Sequence, residues 1–462
     1  MTTKTSASTP QVQDTAGHEG EEAVLDVGPV AHGGHCVARH EGRVVFVRHG
    51  IPGEKVRVRL TDAGDDAKFW RADVIEVLEA SPDRLEHMWR PADSLRAWGH
   101  GHPPVGGAEF GHMTLARQRS LKADVLAEQL TRLAGFEQAP PVWTGAVEAV
   151  GEKYDGGSGL GWRTRASFSV TPGGKLGMHA HRSNHIVPVR EMPLASDAIN
   201  ALRLWDLDLQ GIDRVEVAAP ANGSRPLVLL APAPNTKDKR LRAIAAELPG
   251  DASVAAFDPL TGDVRQLRGR TWVQESAAGH DFRVTGEGFW QIHRDAPGSL
   301  VGAVTEFLQR GDFLHPGAVV ADLYAGAGLF TAVLADAVGE TGSVLSVEGA
   351  PGTSRDARKN LHSAPQVEVV QGRVERVLRQ EPRNFDALVL DPPRAGAGKA
   401  VVGQLMASSP RAIAYVSCDP ASFARDLGYF RRSGWDLVGL RAFDLYPHTH
   451  HLETVALLVP AP

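Results

Sequence analysis

A cysteine near the end of this 462-residue chain offers the first candidate chemistry. Cys418 stands in YVSCDP, just past an apolar run that predicts a strand and before a predicted helix. A thiol placed beside a helix N-terminus is favoured as the thiolate, although an isolated cysteine is more commonly structural and buried. Thiolate addition at carbon 6 of uracil puts charge on carbon 5, so methylation of carbon 5 requires such a covalent cysteine.

A carboxylate that begins the last predicted strand is the candidate partner of this cysteine. Glu453 follows a group of histidines in HTHHLETVALL, residues 448–458. After a methyl group reaches carbon 5, the proton there must leave before the cysteine is eliminated, and this step needs a general base. A solvated acid at a strand start is the alternative interpretation of Glu453. No metal site is predicted, because no cysteine or acid cluster accompanies the histidines at ligand spacing.

A glycine loop points to a nucleoside cofactor. In ADLYAGAGLFT, residues 321–331, an apolar strand runs into Gly326 and Gly328, which allow a tight turn and close approach of a ligand before the next helix. Glu348 ends the following strand 20 residues beyond Gly328, where an acid can accept hydrogen bonds from ribose hydroxyls. The third glycine of a dinucleotide fingerprint is absent, which favours S-adenosylmethionine over NAD.

A second candidate carboxylate directly precedes a rigid Pro-Pro segment of the backbone. In LDPPRAG, residues 390–396, Asp391 follows a predicted buried strand and precedes two prolines, which stiffen the backbone beside the cofactor loop. In methyltransferases that act on amino groups, an aromatic residue usually follows such a Pro-Pro pair. Arg394 stands there in this chain, which argues against methylation of an exocyclic amine.

The elements that must position these residues predict an α/β protein of several domains. From residue 296 to 462, strands alternate with helices, as in an open Rossmann-like parallel sheet whose ligands bind beyond the carboxyl ends of the strands. Residues 21–80 carry short strands and glycine turns typical of a small OB-like barrel that binds oligonucleotides. For residues 81–295 the sequence predicts a central α+β substrate-binding domain with a helix over 114–133. Residues 1–20 are predicted to be a disordered tail.

Composition sets the remaining limits. The formal net charge is −6, so RNA binding would need local basic surfaces, such as the one that Arg57 and Arg59 would form on one face of a barrel strand. Two cysteines are too few for a disulfide framework or a thiolate metal cluster. No apolar run approaches the roughly 20 residues of a membrane span, and a signal peptide is not recognisable. We therefore expect a cytoplasmic protein without a membrane partner.

Taken together, these motifs resemble the RNA uracil-5-methyltransferase family, which joins a TRAM barrel to a class I S-adenosylmethionine domain. The matching segments follow in the family's order: residues 32–60, GEGFWQIH (286–293), ADLYAGAGLFT, SVE, LDPPRAG, YVSCDP and HHLETVALL. The resemblance implies that Cys418 is the nucleophile and Glu453 the base. It also implies that five residues contact the cofactor: Gln291, Tyr324, Gly326, Glu348 and Asp391. Asp391 would additionally touch the uracil.

The chain departs from the family pattern in two places. Many members hold an iron–sulfur cluster with four cysteines between barrel and catalytic domain, whereas residues 98–113 here contain none, so no cluster is expected. In GEGFWQIH, His293 stands at the position where the family commonly has Asn.

The resulting prediction is a monomeric, S-adenosylmethionine-dependent enzyme forming 5-methyluridine in ribosomal or transfer RNA. The alternatives are a cytosine-5 RNA methyltransferase and a non-catalytic RNA-binding or folding factor.

Overall fold

A computed structural model describes residues 17–151, 156–380 and 383–462. Most of the predicted tail, residues 1–16, lies outside the described residues. Three sheets and one hairpin form the architecture. Across the described ranges, no helix combines the length and the apolar character that a membrane span requires.

The N-terminal sheet has five strands in the order β1-β4-β5-β3-β2. Their bounds are β1 Glu22–Asp26, β2 Cys36–His40, β3 Arg43–Arg48, β4 Lys55–Asp62 and β5 Phe69–Glu79. Strands β1 and β2 contact each other, so the sheet curls into a barrel, as predicted. On β4, Val56, Val58 and Leu60 alternate into the core. The intervening Arg57 and Arg59 do not form the free basic face expected from the sequence: Arg57 pairs with Glu76 at 2.8 Å, and Arg59 lies over the ring of Trp98.

The central sheet has seven strands in the order β13-β12-β11-β10-β7-β8-β9, followed in sequence by the hairpin β14–β15. The strands are β7 Arg165–Val170, β8 Leu176–His179, β9 Ile186–Pro188, β10 Ile212–Ala218, β11 Leu227–Pro232, β12 Ser253–Phe257, β13 Val264–Arg268, β14 Trp272–Ala277 and β15 His280–Thr285. Two helices accompany this sheet, α3 Asp197–Asn200 and α4 Asp238–Glu247. Beta-branched and leucine side chains of β10 and β11 make its core, which explains the strand-like runs in the sequence.

The C-terminal sheet carries the predicted doubly wound topology, with strand order β18-β17-β16-β19-β20-β22-β21-β6. Its strands are β16 Val319–Leu323, β17 Ser343–Glu348, β18 Val367–Gln371, β19 Ala387–Leu390, β20 Ala412–Ser417, β21 Trp435–Asp444 and β22 Glu453–Pro460. The interleaved helices are α5 Ala296–Arg310, α6 Leu329–Val338, α7 Pro351–Asn360, α8 Val374–Gln380, α9 Gly398–Ala407 and α10 Pro420–Arg432. Strands β16 to β20 are parallel, and β22 inserts antiparallel between β20 and β21.

The structure divides residues 81–295 differently from the prediction of one central domain. The helix predicted over 114–133 is observed as α2, Leu115–Arg132, but it packs on α10 of the C-terminal sheet. Leu126, Leu130 and Trp143 share a core with β19 and β20. Beyond them, β6 (Glu148–Ala149) extends the same sheet beside β21. Apolar spacing predicts a helix but not the sheet it covers, so the sequence assigns residues 115–149 to the central domain, whereas in the structure they pack on the C-terminal sheet.

The connection from the N-terminal sheet to α2 contains the short helix α1, Ser94–Ala97, and is anchored by a buried ion pair. Arg84 donates to both carboxylate oxygens of Glu54, which is 1% exposed. Three buried histidine rings, those of His49, His87 and His112, lie between this connection and the N-terminal sheet with centroids 5.7 to 6.3 Å apart.

Candidate active site

The glycine loop forms a left-handed turn at the carboxyl end of β16. Tyr324, Gly326 and Gly328 have φ values of +66°, +58° and +96°. Glycine adopts such angles without cost, whereas Tyr324 must be held there by its surroundings. Glu348, at the end of β17, accepts hydrogen bonds from the backbone N–H of Gly326 at 3.0 Å and of Ala350 at 2.6 Å. The turn and the predicted ribose-binding acid are therefore brought together.

Asp322 is a buried carboxylate in β16, just before this turn, that the sequence reasoning missed although it lies within the glycine motif. It is 0% exposed and accepts a hydrogen bond from the hydroxyl of Thr331 at 2.5 Å. Its Oδ1 has no hydrogen-bond partner among the described residues. Burial raises the pKa of Asp322 to about 7. A buried oxygen atom without a partner is stabilised when a bound ligand donates a hydrogen bond to it.

Asp391 lies beside the glycine turn, on the predicted cofactor side. The backbone N–H of Asp391 donates to the carbonyl of Leu323 at 3.2 Å, which sets Asp391 beside the glycine turn. Burial, and secondarily the charge of Asp322, raise the pKa of Asp391 to about 8. Gln291 follows the hairpin β14–β15 and is 7% exposed.

These residues fit S-adenosylmethionine. Glu348 offers a carboxylate for ribose hydroxyls, and Asp322 retains an unpartnered oxygen. A Cβ placed on Gly326 would meet no atom within 4 Å, so the turn leaves room beside its backbone.

Cys418 lies between β20 and α10, at the same sheet edge as Asp391, and is half-buried. Burial raises the pKa of its thiol to about 12, and Glu453, Asp391 and Asp419 act in the same direction. The thiolate inferred from the helix N-terminus is therefore wrong for the free protein. Low solvation and neighbouring carboxylates outweigh the helix end and the opposing charge of Arg394.

Glu453 is 2% exposed, which excludes the alternative of a solvated acid at a strand start. It begins β22, where its register partner is Phe443 of β21. The hydroxyl of Tyr446 donates to Glu453 Oε2 at 3.1 Å. Burial, followed by the charge of Asp391, raises the pKa of Glu453 well above its usual range, while Tyr446 and Arg394 oppose the shift.

A cavity of about 180 Å³ opens beside Cys418, and we call it the nucleophile cavity. Its lining comes from four parts of the chain: the loop His32–Gly34 of the N-terminal sheet, Phe110 with α2, the Arg394 ledge, and the segments around Cys418 and His451. His32 Nε2 lies 2.9 Å from Asp419 Oδ2, and Asp419 Oδ1 caps α10 by accepting from the N–H of Ser422. A Cβ on Gly34 would lie 2.5 Å from the Cβ of His450, so only glycine permits this approach.

Helix α2 holds the loop before Glu453. Lys122, 1% exposed, donates to Asp444 Oδ1 at 2.5 Å and to the carbonyl of Tyr446 at 3.0 Å. One turn earlier, Gln118 Oε1 accepts from the N–H of His448 at 2.6 Å. Sequence reasoning missed Lys122 and Tyr446. A helical lysine carries no local signal of burial, whereas the position of Tyr446 next to HTHHLE could have indicated it.

His293, the departure from the family pattern, is a buried structural residue. Its Nδ1 accepts from the N–H of Asp295 at 3.0 Å, and its ring stacks on Trp162 at 5.6 Å. No three side chains of His, Cys, Asp or Glu in the described ranges are arranged to hold a metal ion.

Comparison with known proteins agrees with this geometry. Residues 18–75 match the family model of the TRAM domain, and residues 372–460 match that of tRNA (Uracil-5-)-methyltransferase. An RNA methyltransferase of uncharacterised specificity from Streptomyces avermitilis is 42% identical over 96% of this chain and 99% of its own length. The chain belongs to the RNA uracil-5-methyltransferase family. This confirms the resemblance drawn from the motifs and the predicted class of S-adenosylmethionine-dependent RNA methyltransferase.

More distant relatives extend over nearly the whole chain. The 23S rRNA (uracil(1939)-C(5))-methyltransferase of Shewanella denitrificans is 28% identical over 94% of this chain and 95% of its own. The structure of Pyrococcus abyssi tRNA (uracil-54, C5)-methyltransferase, in complex with S-adenosyl-L-homocysteine, matches with a TM-score of 0.69 and 20% identity. It covers 94% of this chain and 99% of that one, which confirms the fold.

Proposed function

We propose that this methyltransferase acts as a cytoplasmic monomer and forms 5-methyluridine in ribosomal or transfer RNA through a covalent intermediate on Cys418. The observation that carries the proposal is the convergence of Cys418, Glu453 and Asp391 at one sheet edge. The charges of Glu453 and Asp391 both raise the pKa of the Cys418 thiol, and the charge of Asp391 also raises that of Glu453. A thiol and a buried base beside a cofactor turn are what methylation of a weakly nucleophilic ring carbon needs.

The proposed reaction uses both groups in turn. When bound, S-adenosylmethionine supplies an electrophilic methyl group. The sulfur of Cys418 bonds to carbon 6 of the uracil, and the electron pair of the C5=C6 bond becomes available at carbon 5. Carbon 5 would then take the methyl group as the S–CH3 bond breaks and S-adenosylhomocysteine leaves. Glu453 then takes the proton from carbon 5. The electron pair left behind restores the C5=C6 bond as the C6–S bond breaks and the thiolate leaves.

The first step requires loss of the thiol proton, because Cys418 is neutral at pH 7 in the free protein. Arg394 is the nearby cation that lowers the pKa of both Cys418 and Glu453. We infer that Arg394 favours the anionic forms that both steps consume. Methylation should accordingly rise with pH through the alkaline range toward the high pKa of the thiol.

Support for an RNA substrate comes from a second cavity, of about 340 Å³, between the TRAM sheet and the central sheet. Its lining includes Arg59, Arg71 and Arg182 together with Trp98. Three acids, Glu19, Asp62 and Asp73, share this lining; Asp62 pairs with Arg71 at 2.5 Å, and Arg59 lies over the Trp98 ring. Guanidinium groups bind phosphates, so contact of this joint with a nucleic-acid strand would have these arginines exchange such partners for phosphate groups.

Nucleoside analysis tests the proposal. Ribosomal and transfer RNA from cells lacking this gene are incubated with the protein and S-adenosylmethionine, digested, and analysed by mass spectrometry. We expect 5-methyluridine with wild type and none with Cys418→Ala. Finding 5-methylcytidine instead would indicate a cytosine enzyme, and RNA binding without any methylated nucleoside would indicate a binding factor.

A further inference from the structure

The residue that holds the general base is as clearly placed as the base itself. The Tyr446 hydroxyl donates to Glu453 Oε2 at 3.1 Å, inside a site where Glu453 is 2% exposed. A buried carboxylate has two oxygens and can take a proton on either. The tyrosine occupies one of them.

Tyr446 is fixed by its own surroundings rather than by Glu453 alone. Its carbonyl accepts hydrogen bonds from Lys122 Nζ at 3.0 Å and from the hydroxyl of Thr449 at 2.8 Å. Its ring packs edge-on to Trp162 and His451, with centroids 5.9 and 6.0 Å apart. Because backbone and ring are both held, the hydroxyl defines where the carboxylate of Glu453 must lie.

We propose that Tyr446 is a positioning residue for proton removal from carbon 5, holding Glu453 Oε2 so that Oε1 receives the proton. This inference rests on the proposed function. In the step concerned, the C5–H bond breaks, its proton goes to Oε1, and its electron pair forms the C5=C6 bond. The C6–S bond breaks at the same time, and Cys418 leaves as the thiolate.

The charges around Glu453 give the role a signature in pH. Asp391 and burial favour the protonated acid, whereas Tyr446 and Arg394 favour the carboxylate, and the Cys418 thiol is the other ionisable neighbour. Removing the tyrosine hydroxyl therefore raises the pKa of Glu453. A larger fraction of the base is then protonated at neutral pH, and elimination should need a more alkaline solution.

The test follows the covalent RNA adduct in single turnovers with methyl-labelled S-adenosylmethionine. Enzyme in excess is mixed with substrate RNA, quenched in denaturant at intervals, and resolved into adduct and free methylated RNA. For Tyr446→Phe we expect adduct formation within about twofold of wild type and decay slowed about 10- to 100-fold, the loss expected for a hydrogen bond to a charged group. The pH profile of decay should move to higher pH.

Two variants frame the result. Glu453→Gln should accumulate adduct at every pH, because it lacks the base altogether. Tyr429→Phe removes a hydroxyl from α10 outside the site and should behave as wild type.

Decay of the Tyr446→Phe adduct at the wild-type rate and with the wild-type pH profile would overturn the inference. Equal slowing of adduct formation and decay would also overturn it, by showing a merely structural role. If wild type forms neither adduct nor 5-methyluridine, the proposed function itself fails, and the role of Tyr446 falls with it.

Discussion

The two sides of the candidate active site are built in different ways. The cofactor side comes from the ends of neighbouring parallel strands: Asp322 lies near the end of β16, the glycine turn follows that strand, Glu348 ends β17, and Asp391 follows β19. The nucleophile cavity instead joins His32 of the TRAM sheet, Lys122 of α2 and the loop before Glu453 to Cys418. Sheet topology alone positions the first side, whereas the second depends on contacts between segments more than 300 residues apart, such as Lys122 with Asp444 (322 residues).

The Lys122→Met variant should have the largest effect, because we expect it to lower methylation strongly while leaving cofactor affinity nearly unchanged. The substitution leaves Asp444, 1% exposed, without its buried partner, which costs about 3–5 kcal/mol in the free energy of unfolding. Displacement of the Tyr446 loop should lower methylation about 100-fold. Affinity for S-adenosylhomocysteine, measured by calorimetry, should stay within about threefold, since Asp322 and Glu348 lie on β16 and β17 whereas α2 packs on α10.

The matched control is the double variant Lys122→Met with Asp444→Leu. It should recover most of the stability, because no buried charge remains, but not the methylation rate. Equal loss of methylation and cofactor affinity in Lys122→Met would show that the two sides are not positioned independently.

Glu348→Gln should have the converse effect. Loss of the charged acceptor at the glycine turn should weaken S-adenosylhomocysteine binding by about 1.5–3 kcal/mol, or roughly 10- to 100-fold. Binding of RNA, followed by fluorescence anisotropy, should not change. The control is Glu340→Gln, at an exposed position just before β17, which should leave both affinities unaltered. Weaker RNA binding in Glu348→Gln would contradict the claim that the cofactor side and the nucleophile cavity are positioned independently.

The joint between the TRAM sheet and the connection to α2 should be the acid-sensitive part of the molecule. Burial lowers the pKa of His87 to about 4, and those of His49 and His112 well below 6.5. The unfolded chain therefore binds more protons than the folded one below pH 6.5. Each histidine should contribute a fall in stability of about 1.4 kcal/mol per pH unit on acidification, over a range that ends near pH 4 for His87. Buried carboxyl groups with raised pKa values, such as Asp322 and Asp391, contribute with the opposite sign, so the histidine contribution is measured as a difference between variants.

Urea unfolding between pH 7.5 and 4.5 measures this dependence. His87→Gln should have a flatter pH dependence than wild type, whereas His179→Gln, at an exposed position, should not. A His87→Gln variant with the same pH dependence as wild type would show that His87 is already protonated or solvated in the folded protein.

The smallest effect should come from His32→Gln. The His32–Asp419 pair is 43% and 24% exposed on its two sides, and such pairs contribute about 0–1 kcal/mol. We expect kcat/KM for RNA to fall less than about fivefold, with cofactor affinity unchanged. His100→Gln, at an exposed position of the connection, serves as the control. A loss above about 50-fold would make His32 part of the catalytic machinery rather than a support.

The same division explains what the sequence could predict. The glycine turn, Glu348 and Asp391 were found because parallel strands bring adjacent motifs to one edge. The packing of α2 on the C-terminal sheet, and with it the role of Lys122, could not be predicted, because an amphipathic pattern does not name its partner. The thiolate state of Cys418 was predicted wrongly, because burial beside Glu453 and Asp391 becomes visible only when the chain is folded.

The central claim is that Cys418 bonds to uracil, and a covalent trap tests it most directly. Ribosomal and transfer RNA containing 5-fluorouridine are incubated with the protein and S-adenosylmethionine. Fluorine at carbon 5 cannot leave as a proton does, so elimination stops and the adduct persists in denaturant. Digestion with protease and nuclease followed by mass spectrometry should find a methylated fluorouridine on the peptide that carries Cys418, and none with Cys418→Ala. A wild-type protein that methylates normal RNA yet yields no adduct at Cys418 would contradict the account.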